Sequence, residues 1–522
     1  MKVIYKNICM VALPLIFTIG CTERMEDMNV DPRGFQESDL YADFQNVKSF
    51  IPTLENNINE VTTSWMYQVQ QNLNADLFSG YMMSANFFGR ASDNSNYNLV
   101  DGWNGFIASV PQTTLSTMLQ FEEELQTLAV SGDYLSVGLI IKVISVHRMI
   151  DAFGPYPYTR YGEGTDVAWD DIPDIYDAFF EELDFAIDTL SSYIGTDFEN
   201  RIGDADISTF EGNYIKWIKL ANTMKLRLAM RISLVDPATA QEKAEEAANH
   251  EYGVLEQADG IFAINHNFSH PLWTISQSWK DIQMGSDMES FLSGFADPRI
   301  GEFFTPAADP VVAGQYKGIR QGILRDDKSV YQDYSGINFR QSSPVVIITA
   351  AESYFLRAEA ALNGWDMGDT DAQTLYEDGV KASFSQYGLG GADAYLTSSL
   401  TPEDYTDPKN SDYDYSAITT VTPNWADAAT DEERLEKIIT QKWIAIFPDG
   451  AEAWAEFRRT GYPQLQPIYS NQSTEIPIGE FIKRIPYPSI ITSASANAYS
   501  NAINSFLGGI DSPNTRLWWD VD

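Results

Sequence analysis

The sequence predicts a mainly α-helical protein: a tetratricopeptide-like stack of helices with a large loop-rich segment and small β-hairpins. Apolar residues recur at helical spacing through most of the chain up to residue 250 and again between residues 343 and 447. Between these parts, residues 251–342 are rich in Gly, Pro, Asn and Trp, and alternate only briefly, as at residues 260–264. No strict 34-residue repeat is visible, but helix pairs of this length favour such a stack.

The chain begins with a secretory signal. Lys2 and Lys6 precede an apolar run that ends at Gly20 and Cys21. This run is shorter than the roughly 20 apolar residues that span a bilayer. Since Cys directly after the cut is typical of bacterial lipoproteins, we expect residues 1–20 to be removed and Cys21 to be acylated. Thr18 stands where lipoprotein signals usually have Leu, so an ordinary signal cut nearby remains the alternative.

Cysteine content agrees with a lipid anchor. The chain has two cysteines, and Cys9 lies in the part expected to be removed. The mature protein therefore has no partner for an internal disulfide. The charged residues 23–27 predict that residues 21–40 form a solvated tether.

The body is expected to extend over residues 41–522. Its helical scaffold is predicted at about 41–250 and 343–463. Its ligand half is predicted at about 251–342, together with a polar, acidic insertion at 388–427.

Periodicity predicts helices over residues 44–74, 106–130, 134–153, 170–193, 211–234, 238–250, 343–362, 371–387 and 431–447. Pro52 and Pro111 are assigned to the first turns of the first two helices, because proline is tolerated there. Gly154 and Pro155 end the third helix, and Asp171 or Asp174 is expected to cap the fourth.

Charge excludes several classes of partner. The formal net charge is −40, with 34 basic and 74 acidic residues. Nucleic acid is excluded because its affinity for proteins comes largely from Lys and Arg on phosphates. Polyanionic ligands and direct adhesion to anionic lipid are likewise disfavoured, so membrane contact is expected through the N-terminal lipid alone.

Ten distinctive strings follow one another along the chain. They are MNVDP (28–32), DAFGPYPY (151–158), KWIKLANTMKLRLAMR (216–231), DPR (297–299), YKG (316–318), ESYFLRAEA (352–360), QKWIAIF (441–447), WAEFRRTGYP (454–463), RIPYP (484–488) and LWWD (517–520). In type and order they resemble the strings of SusD/RagB-type outer-membrane lipoproteins, in the SusD-like group of that family.

This resemblance implies a location, partners and a role. Such proteins lie on the outer face of the outer membrane as a lid over a TonB-dependent barrel of the SusC type. They capture a nutrient, usually a glycan, on aromatic platforms of the loop-rich half, and the barrel imports it. The resemblance implies no chemistry on the ligand, and we expect neither a cofactor nor a metal.

The shared strings are expected to be scaffold rather than binding site. Arg227, Arg231, Arg458 and Arg459 could form an anion site, but pairing with carboxylates is the interpretation we favour in so acidic a protein.

Candidate ligand residues are therefore aromatic and polar residues on loops outside the strings. The first cluster lies in residues 86–97 and comprises Phe87, Phe88, Arg90, Asn96 and Tyr97. A ring face beside a group that can bond adjacent hydroxyls is what sugar recognition requires. The alternative is that these rings seal the loop onto the body.

The second cluster lies in residues 266–273 and comprises Phe268, His270 and Trp273. The same alternative applies to it. Trp103 and Trp279 are ranked below both clusters because their neighbours resemble family scaffold.

Two other functions stay open at this stage. A surface glycoside hydrolase needs a pair of carboxylates, which so acidic a chain cannot exclude. The second alternative is a structural lid of the transporter that binds a peptide or another small molecule. The residues around His266 and His270 predict a loop, which disfavours a metal site at these two histidines. The acidic residues of 404–414 lack EF-hand spacing, so we interpret them as a solvated loop.

Overall fold

The computed structural model describes residues 44–129 and 131–521. The predicted signal peptide, Cys21 and the tether lie outside these residues. The chain divides into two compact units, residues 1–49 and 50–522. The described part of the first unit contains one short helix, and all other elements belong to the second.

The helices are α1 (Gln45–Lys48), α2 (Phe50–Asn56), α3 (Ser64–Tyr67), α4 (Asp76–Phe78), α5 (Asp101–Leu125), α6 (Gly132–Phe153), α7 (Ile172–Tyr193), α8 (Tyr214–Arg231), α9 (Pro237–Ala248), α10 (Ser286–Gly294), α11 (Ile300–Phe303), α12 (Ala350–Leu362), α13 (Ala372–Gln386), α14 (Ala392–Tyr395), α15 (Asp431–Ala445), α16 (Gly450–Thr460), α17 (Ser489–Ala494) and α18 (Ala496–Phe506). The strands are β1 (Met82–Ser84), β2 (Ile261–Ile264), β3 (Ile282–Met284) and β4 (Val345–Thr349). Two π-helical segments, Gln68–Ala75 and Trp273–Ser278, complete the main elements.

Long helices build the scaffold by packing on their sequence neighbours. Helix α5 packs on α6, α6 on α7, α7 on α8 and α8 on α9, while α8 also packs on α12, which in turn packs on α13 and α15. Helix α7 shows the physical reason: Ile175, Phe179, Leu183 and Ile187 recur at helical spacing and are all buried. The structure therefore confirms the predicted mainly helical fold class.

The first two predicted helices differ from those observed. Residues 44–74 break between residues 57 and 63, and α3 continues through a π-helical segment into α4. Helix α5 starts at Asp101 and holds Pro111 in its interior. The first-turn assignment of Pro111 is therefore wrong, since a proline can lie inside a helix when the packing around it outweighs the lost hydrogen bond.

The strands form two small antiparallel sheets between distant parts of the chain. Strand β1 pairs with β3, with Met82 opposite Met284, and β2 pairs with β4, with Ile261 opposite Thr349. The short strand expected near residues 260–264 is therefore present, but its partner is 80 residues away. Both sheets tie the irregular middle of the chain to the helical scaffold.

Buried ion pairs join the helices of the scaffold. Arg227 on α8 binds both carboxylate oxygens of Glu352 on α12, at 2.7 and 2.6 Å. Arg231, one turn later, binds Glu452 on α16 at 2.5 Å. These pairs confirm the predicted carboxylate pairing for Arg227 and Arg231.

The consecutive residues Arg458 and Arg459 have different partners. Arg459 binds both oxygens of Glu359 at 2.7 Å. Arg458 instead stacks between two indoles, with its guanidinium carbon 3.6 Å from the ring of Trp454 and 4.7 Å from that of Trp519. The carboxylate pairing predicted for Arg458 is wrong.

No helix within the described residues is long and apolar enough to cross a bilayer.

Candidate functional site

Four aromatic rings lie at the surface in two neighbouring pairs, which we together call the aromatic ridge: Trp65 with Phe106, and Trp103 with Phe88. Trp65 meets Phe106 edge-on, with 5.3 Å between ring centroids. Phe88 meets Trp103 in the same way at 5.4 Å. Trp103 and Phe106 lie three residues apart on α5, so they project from one face of its first turns. Trp65 is 51 % exposed, and the other three rings are half-buried.

Local structure holds the ridge in position. The Val100 N–H that precedes α5 donates to the side chain of Asn94 at 2.7 Å, which fixes the start of the helix against the preceding loop. Phe88 has a φ of 46°, in the left-handed region that bulky residues rarely adopt. Its N–H donates to Asn86 Oδ1 at 3.0 Å, which stabilises this conformation.

Polar groups border the ridge. The carboxylate of Asp281 accepts hydrogen bonds from Asn86 Nδ2 at 2.8 Å, Lys328 Nζ at 2.5 Å and Gln68 Nε2 at 3.2 Å. Arg90 is exposed, and its guanidinium carbon lies 5.6 Å from the Trp103 ring centroid. The ridge thus has amide, ammonium and guanidinium donors at its edge.

A further exposed indole lies beside this border. Trp279 is 38 % exposed and directly follows the π-helical segment Trp273–Ser278, which packs against α3. The backbone N–H of Trp279 donates to the Thr274 carbonyl at 2.8 Å, and the next residue, Lys280, has a φ of 59°. The backbone carbonyl of Trp279 accepts from Lys328 Nζ, which also binds Asp281, so Trp279 lies beside the polar border.

The first predicted cluster divides between this surface and the interior. Phe87, Phe88 and Arg90 lie at the surface of the loop. Asn96 has no exposed surface, and its Nδ2 donates to the carbonyl oxygens of Gly322 and Ser470.

Tyr97 is 4 % exposed, and its ring packs 6.2 Å from that of Phe78. Direct ligand contact does not fit the burial of Asn96 and Tyr97. We therefore assign both residues to the scaffold that supports the loop.

The second predicted cluster is also divided. Phe268 stacks on His266 at 4.4 Å and lines a separate cleft of about 480 Å³. His270 is 1 % exposed, and its Nδ1 accepts from the Leu272 N–H at 3.1 Å. Trp273 is half-buried at the start of the segment that packs against α3. Of the three, only Trp273 belongs to an element beside the aromatic ridge, and His270 is too buried for ligand contact.

Metal binding finds no support in the described residues. Both ring nitrogens of His266 lie within hydrogen-bond distance of backbone carbonyls, those of Phe268 at 2.8 Å and Ser343 at 2.7 Å. In the acidic loop, Asp407 accepts from backbone N–H groups and Asp414 accepts from the Asp407 N–H. No group of three potential metal ligands occurs among the residues described.

Sequence patterns did not single out two members of the ridge, Trp65 and Phe106, and ranked Trp103 below the two predicted clusters. Both missed residues fall in segments that read as apolar helix, where an aromatic ring is expected in the core. The available signal is the spacing of Trp103 and Phe106, which lie on one face immediately after a polar loop.

Comparison with known proteins gives a match over nearly the whole chain. A family model described as SusD-like, SusD and RagB outer membrane lipoprotein, matches residues 27–520. The search of curated proteins finds no match.

Several solved structures share the fold over nearly the whole chain. A chitin-binding SusD homologue from Flavobacterium johnsoniae is 39 % identical, with 91 % of this chain and 99 % of that chain covered and a TM-score of 0.87. A SusD homologue from Bacteroides vulgatus is 37 % identical, with 92 % and 99 % covered and a TM-score of 0.86. One from Bacteroides thetaiotaomicron is 30 % identical, with 91 % and 99 % covered and a TM-score of 0.83.

Proposed function

This chain belongs to the SusD/RagB family of outer-membrane lipoproteins, and from that premise we propose that it captures a neutral glycan at the cell surface. The first ligand to test is a chitin oligosaccharide, because a relative that is 39 % identical is described as chitin-binding. The observation that carries the proposal is the aromatic ridge of Trp65, Phe106, Trp103 and Phe88.

The ridge suits a chain of sugar rings. Exposed indole and phenyl groups offer apolar surface to the faces of pyranose rings, and the neighbouring donors can fix their orientation. Asn86 and Lys328, held by Asp281, and the exposed Arg90 are placed to bond hydroxyl and acetamido oxygens. The net charge of −40 disfavours uronic and sulfated polymers, which leaves neutral glycans.

Binding without turnover follows from the same groups. Glycoside hydrolysis uses one carboxyl group as acid and a second as base or nucleophile, roughly 5 to 9.5 Å apart. Asp281, the carboxylate at the border of the ridge, accepts from three side chains and so serves to organise them.

We further propose that the captured glycan passes to a SusC-like TonB-dependent barrel in the outer membrane, on which this protein lies as a lid. Family membership supports this step. Acylation at Cys21 would hold the body at that membrane.

The test is isothermal titration with chitin oligosaccharides, together with electrophoresis through gels that contain soluble polysaccharides. Trp65→Ala and Trp103→Ala should each weaken binding about tenfold or more, since the loss of a central aromatic contact typically costs over ~1.4 kcal/mol. Phe198→Ala is the control, because Phe198 is 42 % exposed and meets Tyr193 edge-on, away from the ridge.

Three results would count against the proposal. Release of new reducing ends by the wild-type protein would show a hydrolase. Absence of retention on every polysaccharide would favour a lid that binds a peptide or another small molecule. Equal affinity of the tryptophan variants and Phe198→Ala would place the ligand elsewhere.

A further inference from the structure

A small cavity of about 30 Å³ lies within the scaffold, away from the aromatic ridge. Helices α5, α6 and α16 and the π-helical segment Gln68–Ala75 enclose it. The volume suits one or two water molecules or a single monatomic ion, since one water needs about 10–15 Å³ by this measure.

Three nitrogen atoms of the lining residues are buried without a hydrogen-bond partner: Arg148 Nε, Trp454 Nε1 and Arg458 Nη2. All three are donors, and no lining side chain in the described residues contributes an unpartnered buried acceptor. The three residues are 8 %, 2 % and 3 % exposed. Buried donors are almost always satisfied in proteins, so this group indicates an occupant that accepts.

Charge separates Arg458 from the other buried arginines. Seven arginines in the described part of the chain are at most 3 % exposed. Six of them have a carboxylate oxygen within 4 Å: Arg227, Arg231, Arg299, Arg325, Arg459 and Arg484. Arg458 has none among the described residues, although a buried cation normally requires a counter-charge.

The bonds that Arg458 does make are to neutral groups. Its Nη1 donates to the Lys483 carbonyl at 2.8 Å and its Nε to the Trp454 carbonyl at 3.3 Å. Burial lowers the pKa of Arg458 to about 9, and the more distant charges of Asp151 and Asp520 offset only part of that effect.

Carboxylates near the cavity are committed to other cations. Asp449 binds both Nη atoms of Arg148, at 2.6 and 2.8 Å, which leaves Nε of that arginine as the unpartnered donor. Asp151 lines the cavity, but its Oδ1 accepts from Tyr176 at 2.6 Å and its Oδ2 lies 3.3 Å from Arg231 Nε. Neither carboxylate therefore neutralises Arg458 directly.

Water is the competing occupant. Ile107 also lines the cavity, and its carbonyl loses its usual helical partner because Pro111 has no N–H. A water molecule could accept from one donor and donate to that carbonyl. It would leave the charge of Arg458 uncompensated, whereas a small anion satisfies the donors and supplies the charge.

We propose that this cavity is a binding site for a monatomic halide, chloride under natural conditions, held by Arg148 Nε, Trp454 Nε1 and Arg458 Nη2. The anion neutralises Arg458 and joins α6 to α16 behind the helix that carries Trp103 and Phe106.

Crystals of the protein grown in sodium bromide provide a direct test. We expect an anomalous peak at the bromine edge inside the cavity, within hydrogen-bond reach of the three nitrogens. A cavity that holds water or nothing, with no anomalous signal, overturns the proposal.

A solution test uses melting temperature as chloride replaces gluconate at constant ionic strength. An anion that binds only the folded state stabilises it by RT ln(1 + [L]/Kd), so the melting temperature rises steadily with chloride once its concentration exceeds Kd. Trp454→Phe removes one donor and keeps a ring beside Arg458, so the apparent Kd for chloride should rise at least tenfold. Trp519→Phe is the matched control, because Trp519 stacks on the same arginine but does not line the cavity.

The expected result is a melting temperature that rises with the logarithm of chloride concentration in the wild type and in Trp519→Phe, and a rise that is lost or begins only at much higher chloride in Trp454→Phe. A wild-type melting temperature that is equal in chloride and gluconate contradicts the proposal. So does a Trp454→Phe variant that responds to chloride as the wild type does.

Discussion

Burial controls the chemistry of single residues in this protein, as His270 shows. Its Nδ1 accepts from the Leu272 N–H, and its ring packs edge-on against Phe339 at 5.4 Å. Burial, with the neighbouring His266, lowers the pKa of His270 to about 3. The imidazole is therefore neutral in the folded protein at any physiological pH.

This shift predicts an acid-sensitive contribution to stability. Between pH 6.5 and about 3, the unfolded chain binds a proton at His270 that the folded chain does not, so stability falls as pH falls. At pH 5 the loss from this residue should be about 2 kcal/mol. His270→Asn keeps an acceptor near the position of Nδ1 and removes the titration.

Urea unfolding at pH 7.5 and pH 5 checks this prediction. The midpoint of the wild type should fall further between the two pH values than that of His270→Asn. Equal shifts in both proteins would show that His270 does not carry the effect.

Residue types in a loop predict that the loop lies at the surface better than they predict which of its side chains are exposed. Composition identified the loop of Phe87, Phe88 and Arg90, which does lie at the surface. Asn96 and Tyr97 in the same loop are buried because it folds back onto residues 322 and 470. Those partners are more than 200 residues away, so no local pattern could reveal them.

At the scale of elements, capping residues determine where several helices begin. The N–H of Glu433 on α15 donates to Thr430 Oγ1 at 3.2 Å, and the N–H of Thr430 donates back to the Glu433 carboxylate at 3.0 Å. This reciprocal pair is a capping box, which satisfies N–H groups that the helix itself leaves free.

Removing the cap should weaken α15. Thr430→Ala is expected to cost about 1 kcal/mol, because the helix loses a side-chain acceptor at its first turn. Thr430→Ser keeps the hydroxyl and is the control. Urea unfolding should lower the midpoint of the alanine variant alone, and a matching loss in the serine variant would argue against the capping bond as the cause.

Helices with clear apolar stripes were predicted to within a few residues, and those shaped by tertiary packing were not. The predicted helix at 170–193 is observed as α7, with Asp171 accepting from the Ile172 N–H at its start. Helix α5 instead extends beyond both sides of Pro111, and α3 continues as a π-helical segment. Neither a tolerated interior proline nor a π-helical turn has a local sequence signal.

At the scale of the whole molecule, buried ion pairs hold the helical stack together. Arg227 and Glu352 link α8 to α12, and both side chains are at most 1 % exposed. Lys442 on α15 adds a bond to Glu452 on α16 at 2.8 Å. Helices from three distant parts of the chain, α8, α12 and the consecutive pair α15 and α16, therefore meet at one charged cluster.

Breaking one pair should be costly, and removing both partners should cost less. Arg227→Met leaves the carboxylate of Glu352 buried without its bidentate partner, and is expected to cost about 3–5 kcal/mol. The double variant Arg227→Met with Glu352→Leu should lose less than the sum of the two single variants. Urea midpoints of the four proteins measure this difference.

Glycan affinity provides the matching functional measurement. Arg227 and Glu352 lie in the scaffold and not at the aromatic ridge. The folded fraction of Arg227→Met should therefore bind the glycan with wild-type affinity. Strict additivity of the three variants, or a weakened affinity in the folded fraction, would contradict this assignment.

The pairing of β1 with β3 also determines the order in which the ligand surface can be assembled. All four rings of the aromatic ridge come from residues 65–106, but the polar border depends on Asp281 and Lys328, brought beside them by this sheet. A chain synthesised from its N-terminus therefore has its stacking residues, Asn86 and Arg90 long before it has Asp281 and Lys328, which complete the polar border. Discrimination between ligands is completed only after nearly two-thirds of the protein has been made.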